Sequence, residues 1–512
     1  MNTVYKTAVT VTVFSLMENF LGFIYRIYLS RAIGSEGVGL YQITLSVFAL
    51  LLTLCSSGIP ATVSRLITKY RATKDFSRVN KVATAGFLIT ISVALPVTLI
   101  IFIFPKTFAF LFADERCLSL FLVILPALTL NSVYSVLRGI FWGNKDFLPY
   151  SVIELIEEAV MIVVGIILVL GAKNVVSGAN RAIIAVLVSY VVSFTLGVLL
   201  FAYRGGKVSP PKSELKPLML SSLPITAMRT ASSVAGSIIS VILPAMLIKS
   251  GLSASKATSE FGAFFGMAMP LITSPMSLIG PFTVVLIPQI AENFYKNDKN
   301  ALSSDIEKAL NLTIFLTALT VPVFFCFGED FGILLFSSYE GGVYTSRSSY
   351  LTILLSLSSL TTSILNSIGK ETETLLSFLV SATLLVASIL ILPKFIGIYS
   401  LLVGYTLLYG VNTVINLALI RKKTGVRLKT GGFAFYSILF MLPSALLGVL
   451  LKKLLINHLG SLITSILVCI IILIFNGLFY AVFNLIDYKD LINRLPLKKK
   501  KGTLNAKKLN NV

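Results

Sequence analysis

Seven ionisable side chains, Glu18, Arg26, Arg31, Arg65, Arg138, Glu157 and Arg229, fall inside or at the edges of long apolar runs. A charge at the middle of a membrane helix costs about 2.5–3.5 kcal/mol on insertion scales, so each is a candidate functional residue. Arg229 lies about a dozen residues into its run, too deep for easy snorkelling. A guanidinium there can fork onto a pyrophosphate as a lysine cannot, which makes Arg229 the leading anion-binding candidate. The structural alternative is an ion pair with Glu18 or Glu260. Glu18, near the middle of its run, is the candidate for ion coupling, able to hold a proton or a cation, or else a structural partner of Arg229. Ser151-Val152-Ile153-Glu154 reads as a capping box, which makes Glu154 structural; Glu157 lies beyond the reach of a cap and is a substrate-binding candidate. Catalytic and metal chemistry find little material: there is one histidine, His458, and Cys55, Cys117, Cys326 and Cys469 are scattered without ligand spacing. No catalytic residue, no metal and no cofactor is expected, and the chain does not read as an enzyme.

The elements that must position these residues are membrane helices. Of 512 residues 56% are hydrophobic and 13% charged, with a mean hydropathy of +0.90. Apolar runs lie at 4–29, 38–63, 82–104, 118–140, 152–171, 182–202, 218–248, 261–290, 309–328, 349–368, 375–393, 396–420, 433–451 and 461–486. About 20 apolar residues suffice to cross a hydrocarbon layer as a helix. Continuous runs exclude the alternating strands of a barrel, so the expected fold is all-α, a polytopic membrane protein with about 14 transmembrane helices. A net charge of +21 would suggest nucleic acid in a soluble protein, but the basic residues sit in short loops beside the runs, and no nucleic-acid partner is expected. The loops at 65–81, 204–216 and 421–429, with the tail carrying Lys498 to Lys501, place both termini in the cytoplasm of a multi-pass cell-membrane protein. The loop at 291–308 and the Lys452-Lys453 pair run against that rule. The first run is too long for a secretory signal and reads as a retained helix. Residues 39–75 echo 263–298, and Ser135–Gly139 echo Ser363–Ser367. Two six-helix lobes follow, 1–203 and 204–430, then two further helices over 431–487 and a basic tail over 488–512. Parallel repeats of this kind place a central cavity between the lobes.

Leu21–Ile27, Arg31–Gln42, Gly58–Arg65, Arg138–Asn144 and Ile153–Glu157, in this order, resemble the stage V sporulation protein B-like group. That group belongs to the multidrug/oligosaccharidyl-lipid/polysaccharide exporter superfamily. Relatives usually carry a basic residue just before the Leu-Gly-Phe, where this chain has Glu18-Asn19. The resemblance implies a flippase with two lobes around a cationic cavity, moving an undecaprenyl-pyrophosphate-linked sugar, such as a lipid II-like peptidoglycan precursor or a polysaccharide repeat unit, for envelope or spore-cortex synthesis. Its partners would be that anionic lipid-linked substrate, membrane lipids and envelope-synthesis enzymes. Arg26 and Arg31 near one mouth, with Arg65 and Arg138 near the other, suit such a substrate, although snorkelling to headgroups explains each of them singly. The alternatives are a drug/cation antiporter of the same superfamily, which would want carboxylates at the cavity centre, and a non-transporting assembly scaffold.

Overall fold

A computed structural model describes residues 2–482, so the basic tail with Lys498 to Lys501 lies outside the described residues. No strand occurs among them, and the chain is an all-α, multi-pass membrane protein. Helix α1 (Asn2–Ser56) joins the first two expected spans without a loop, turning only at Gly34, whose φ of 69° is open to a residue without Cβ. The chain breaks at Ser57-Gly58 and restarts as α2 (Ile59–Ala72), with Pro60 in the first turn, where a missing N–H is harmless. Arg65 to Ala72, expected as loop, are therefore helical. Asp75 caps α3 (Phe76–Ile103) by accepting from the Arg78 N–H.

Helices α4 (Arg116–Ile124) and α5 (Pro126–Asn144) follow each other with a bend of 43°. Helix α6 (Phe147–Leu170) begins before Ser151, because Pro149 fits a first helical turn. This overturns the capping-box reading: Asp146 occupies the N-cap position, and Glu154, Glu157 and Glu158 lie well inside the helix. After α7 (Val175–Tyr203) and α8 (Lys212–Lys249), the expected span 261–290 is broken into α9 (Ala254–Gly262), a π-helical turn (Ala263–Ala268), α10 (Met269–Thr273) and α11 (Met276–Tyr295). The second half continues with α12 (Lys299–Phe336), α13 (Tyr339–Ser348), α14 (Leu351–Ser367), α15 (Glu371–Ile391), α16 (Pro393–Ile396) and α17 (Ser400–Thr424). Helix α18 (Gly431–Val482) bends at Gly460, φ 72°.

Among the described residues, 8 helices are long and apolar enough to cross a membrane, or 10 if each bent pair is one span. The expected fourteen is not reached by that measure. Three glutamates within one stretch of α6 and the breaks between α9 and α11 take those segments out of it.

The apolar cores reveal the shape of the bundle. At the end carrying Gly34, one core runs through both halves, from Tyr25 and Leu40 through Phe121 and Phe264 to Tyr405. At the opposite end the core is split, with Ile59, Val63, Phe141 and Leu218 in one part and Ile290, Ile306, Ile364 and Ile420 in the other. The halves therefore close on each other at one end and part at the other, except that the start of α8 stays with the first half, where Tyr70 donates to Glu214 at 2.9 Å. Helix α18 packs along α12, where Lys452 bonds Asp330 and the Cys326 carbonyl, 3.2 Å away, and lies over the Phe327 ring.

Candidate functional site

Where the halves part, a cavity of about 520 Å³ opens, lined by Arg138 and Asn131 of α5, Arg229 and Ser233 of α8, and Leu375 of α15. Ser56 and Ser57 at the end of α1 complete its polar wall. The break at Ser57-Gly58 builds this wall for a physical reason: the last carbonyls of α1 have no intrahelical donor. The Arg229 Nη1 donates to the Ser57 carbonyl at 2.8 Å, and the Gly58 N–H donates to the Thr226 hydroxyl at 3.1 Å. Only glycine fits at position 58, since a Cβ there would lie 2.4 Å from the Ser222 carbonyl oxygen of α8. The rest of the Arg229 fork has no protein partner among the described residues. Its proposed structural pairing is absent, because Glu260 binds Lys256 at 3.4 Å and Glu18 faces Glu154 and Glu158.

Arg138 reaches the same cavity from the other side. Its Nη1 lies 3.6 Å from Glu154, its guanidinium stands 5.5 Å over the Trp142 ring, and its buried Nε has no hydrogen-bond partner. Two guanidinium groups on different elements thus line one hollow edged by hydroxyls and an amide. Such a site can hold a bidentate anion and the polar groups attached to it.

The other candidates lie elsewhere. Arg31 caps the C-terminal end of α12, donating from Nε to the Leu335 carbonyl at 2.9 Å and from Nη2 to the Leu334 carbonyl. Arg26 is exposed on α1 beside Glu158, and Arg65 is exposed on α2. Glu157 bonds Ser193 of α7. Glu18, Glu154, Glu157 and Glu158 form an acidic cluster within the first half, with Arg138 at its cavity edge and Arg26 on its other flank. The amides Asn366, Asn412 and Asn416 bond neighbouring hydroxyls, so they pin helices together.

Sequence reading missed the closed end. There the Ser35 and Ser259 hydroxyls meet at 2.7 Å, Thr258 donates to Asp114 at 3.0 Å, and Ser255 donates to Glu36 at 2.5 Å. Arg116 ties this cluster together, 2.7 Å from Glu36 and 2.7 Å from Asp114. Burial pushes the Asp114 carboxyl up, but the bonds from Arg116 and Thr258 outweigh it and hold it below its usual 3.8. The only signal in the sequence was a charge-balanced loop at 105–117.

Residues 4–294 match the family described as polysaccharide biosynthesis protein. Stage V sporulation protein B of Bacillus subtilis (strain 168) is 25% identical over 344 residues, 64% of this chain and 66% of that protein. Lipid II flippase MurJ of the same organism is 22% identical over 488 residues, 86% of each chain. A solved structure of lipid II flippase MurJ, in an inward closed conformation, superposes with a TM-score of 0.69 at 14% identity, covering 94% of this chain and 100% of that one. That likeness shows a shared fold.

Proposed function

Because the chain belongs to the polysaccharide biosynthesis protein family, we propose that it is a flippase carrying a lipid-linked sugar from one membrane leaflet to the other, without enzymatic chemistry of its own. The observation that carries this reading is the convergence of Arg138 and Arg229 on one cavity between the halves. A pyrophosphate linking lipid and sugar is doubly anionic, and a guanidinium fork matches its oxygens two at a time. Asn131 and the serines of the wall would meet sugar hydroxyls, while the polyprenyl chain stays in lipid.

The basic loops at 65–81 and 421–429 lie at the end where the halves part, which by the positive-inside rule is the cytoplasmic end. Both termini belong to that side. The cavity then loads from the inner leaflet while the Arg116 cluster seals the outer end. Delivery requires the outer end to part and the inner end to close, an alternation between two packings of the same halves. Glu18, in the acidic cluster with Glu154 and Glu158, is the proposed coupling residue, and Glu157, near Arg138, is a proposed substrate-binding residue. Arg26, Arg31 and Arg65 serve as guides for the headgroup outside the cavity. Its working partners are the envelope-synthesis enzymes that make and consume the lipid-linked sugar, such as a lipid II-like peptidoglycan precursor or a polysaccharide repeat unit.

The test is reconstitution of the purified protein into vesicles holding a fluorescent undecaprenyl-pyrophosphate sugar, with outer-leaflet exposure read by a membrane-impermeant quencher. Exposure should be rapid with the intact protein and should fall at least about ten-fold with Arg229→Ala, the loss of one charge-assisted bond. Equal exposure with and without the protein removes the flippase reading and points to a scaffold or a different cargo, and full activity of Arg229→Ala removes Arg229 from the binding site.

A further inference from the structure

A second polar hollow, of about 440 Å³, lies far along the chain from the central cavity and shares no lining residue with it. It forms where the stretch after α17 crosses the first turns of α12. Thr424 ends α17 and Gly425 takes the left-handed region, φ 71°, which turns the backbone over α12. The Lys429 N–H then donates to Glu307 Oε1 at 2.9 Å, and the Ser303 hydroxyl donates to the Arg427 carbonyl at 3.4 Å, so the stretch is held down by its backbone. Val426 and Leu428 pack into the apolar core of the second half, and the Arg427 and Lys429 side chains are left at the surface.

Lys299, Arg427 and Lys429 line the hollow, all exposed, and none has an ion-pair partner among the described residues. The neighbouring Lys423, by contrast, is matched by Glu373 at 3.0 Å. Glu307 is the one acid of the lining, and its Oε1 already accepts the Lys429 N–H. The Asp298 side chain occupies the cap of α12 by accepting the Ala301 N–H, so the attraction here comes from side-chain cations and not from the helix end. Three cations against the single carboxylate of Glu307 leave positive charge in excess around the hollow, which a bound anion would offset. The hollow opens at the basic-loop end of the bundle, where headgroups meet water, and basic pockets between membrane helices at such a surface suit phosphate groups.

We infer that Lys299, Arg427 and Lys429 form a second phosphate-binding site, distinct from the central cavity and lying beyond the residues that match the family. It takes a phosphate-bearing anion at the membrane surface, either the headgroup of an anionic phospholipid or a soluble phosphate compound. Occupied, it would clamp the α17–α18 connection onto α12.

The full chain in a zwitterionic detergent is titrated separately with phosphatidylglycerol and with sodium pyrophosphate, reading thermal stabilisation and, for the lipid, adducts retained in native mass spectrometry. Two variants remove the same charge: Arg427→Gln with Lys429→Gln inside the hollow, and Arg421→Gln with Lys422→Gln in the last turn of α17, outside it. The first should weaken the response on the order of ten-fold, from about one surface charge's attraction per residue, and the second less than about two-fold. Response to phosphatidylglycerol alone assigns a lipid headgroup, and response to pyrophosphate assigns a soluble ligand. Equal loss in both pairs means general surface charge, and no response to either probe in the intact chain leaves no site; each overturns the inference. The Lys429 bond to Glu307 is made by the backbone, so the variants keep the fold, and an unchanged melting temperature without ligand checks this.

Discussion

Arg229 has two tasks that a different cation would separate. Its Nη1 completes the broken end of α1 at Ser57, and the remainder of the fork faces the cavity. Arg229→Lys keeps the charge and supplies no rigid second set of donors, so it should lower the flipping rate in vesicles by about ten-fold or more while leaving melting temperature near that of the parent. Asp114 makes a pH prediction of definite sign. A carboxyl held below its usual 3.8 in the closed cluster contributes stability that is fully present above that value and lost as pH falls through the lowered one. The detergent-solubilised protein should therefore keep its melting temperature through mildly acidic pH and lose it only below about pH 4, and Asp114→Asn should flatten that final drop. Arg229 was legible as a candidate because it lies deep in an apolar run, whereas Arg138 stood out only as one of four arginines near the mouths, each explained singly by snorkelling. The contacts of Arg31 and Asp114 were not legible, because their partners, the Leu334 and Leu335 carbonyls and the Thr258 hydroxyl, come from distant parts of the chain that no local spacing reveals.

At the scale of elements, glycine decides how closely the halves meet. A Cβ on Gly39 of α1 would lie 2.1 Å from the Thr258 carbonyl oxygen of α9, and one on Gly262 would lie 2.0 Å from the Ser35 carbonyl oxygen. Both obstacles are backbone, so neither can swing aside. Gly39→Val should force α9 away from α1 and bias the bundle toward parting at that end, which a longer distance between nitroxide labels at Ala32 and Ala254 would register; an unchanged distance contradicts the contact. The π-helical turn at Ala263–Ala268 adjoins this contact, and such turns often mark segments that rearrange. Apolar length alone located the helices well where each run was continuous and uncharged, as in α3, α7 and α15. It failed at Gly34, where one residue bends two spans into a single run, and between α9 and α11, where Pro270, Pro275 and the π turn divide one apolar stretch into pieces. Hydropathy reports burial in lipid, not the backbone angles that join one helix to the next.

For the whole molecule, the faint echo between 39–75 and 263–298 takes on a geometric meaning. Gly39 lies against Gly262, next to its counterpart in the echo, so the two stretches meet at the sealed end. If transport works by parting this contact while the other end closes, holding it shut must stop delivery without harming loading. The Ser35 and Ser259 hydroxyls, 2.7 Å apart across the contact, mark where a bridge can be placed. The native cysteines are free, three of them buried and Cys469 half-buried, so an oxidant will address an introduced pair first. Ser35→Cys with Ser259→Cys should cross-link under mild oxidation, abolish outer-leaflet exposure of the fluorescent lipid-linked sugar and regain it on reduction, while either single variant stays active under both conditions. Binding of the same lipid to the cross-linked protein should persist, because the bridge lies at the sealed end and the Arg138–Arg229 cavity at the open one. Undiminished flipping by a fully cross-linked protein would mean that the sugar passes by a route on which these halves never separate.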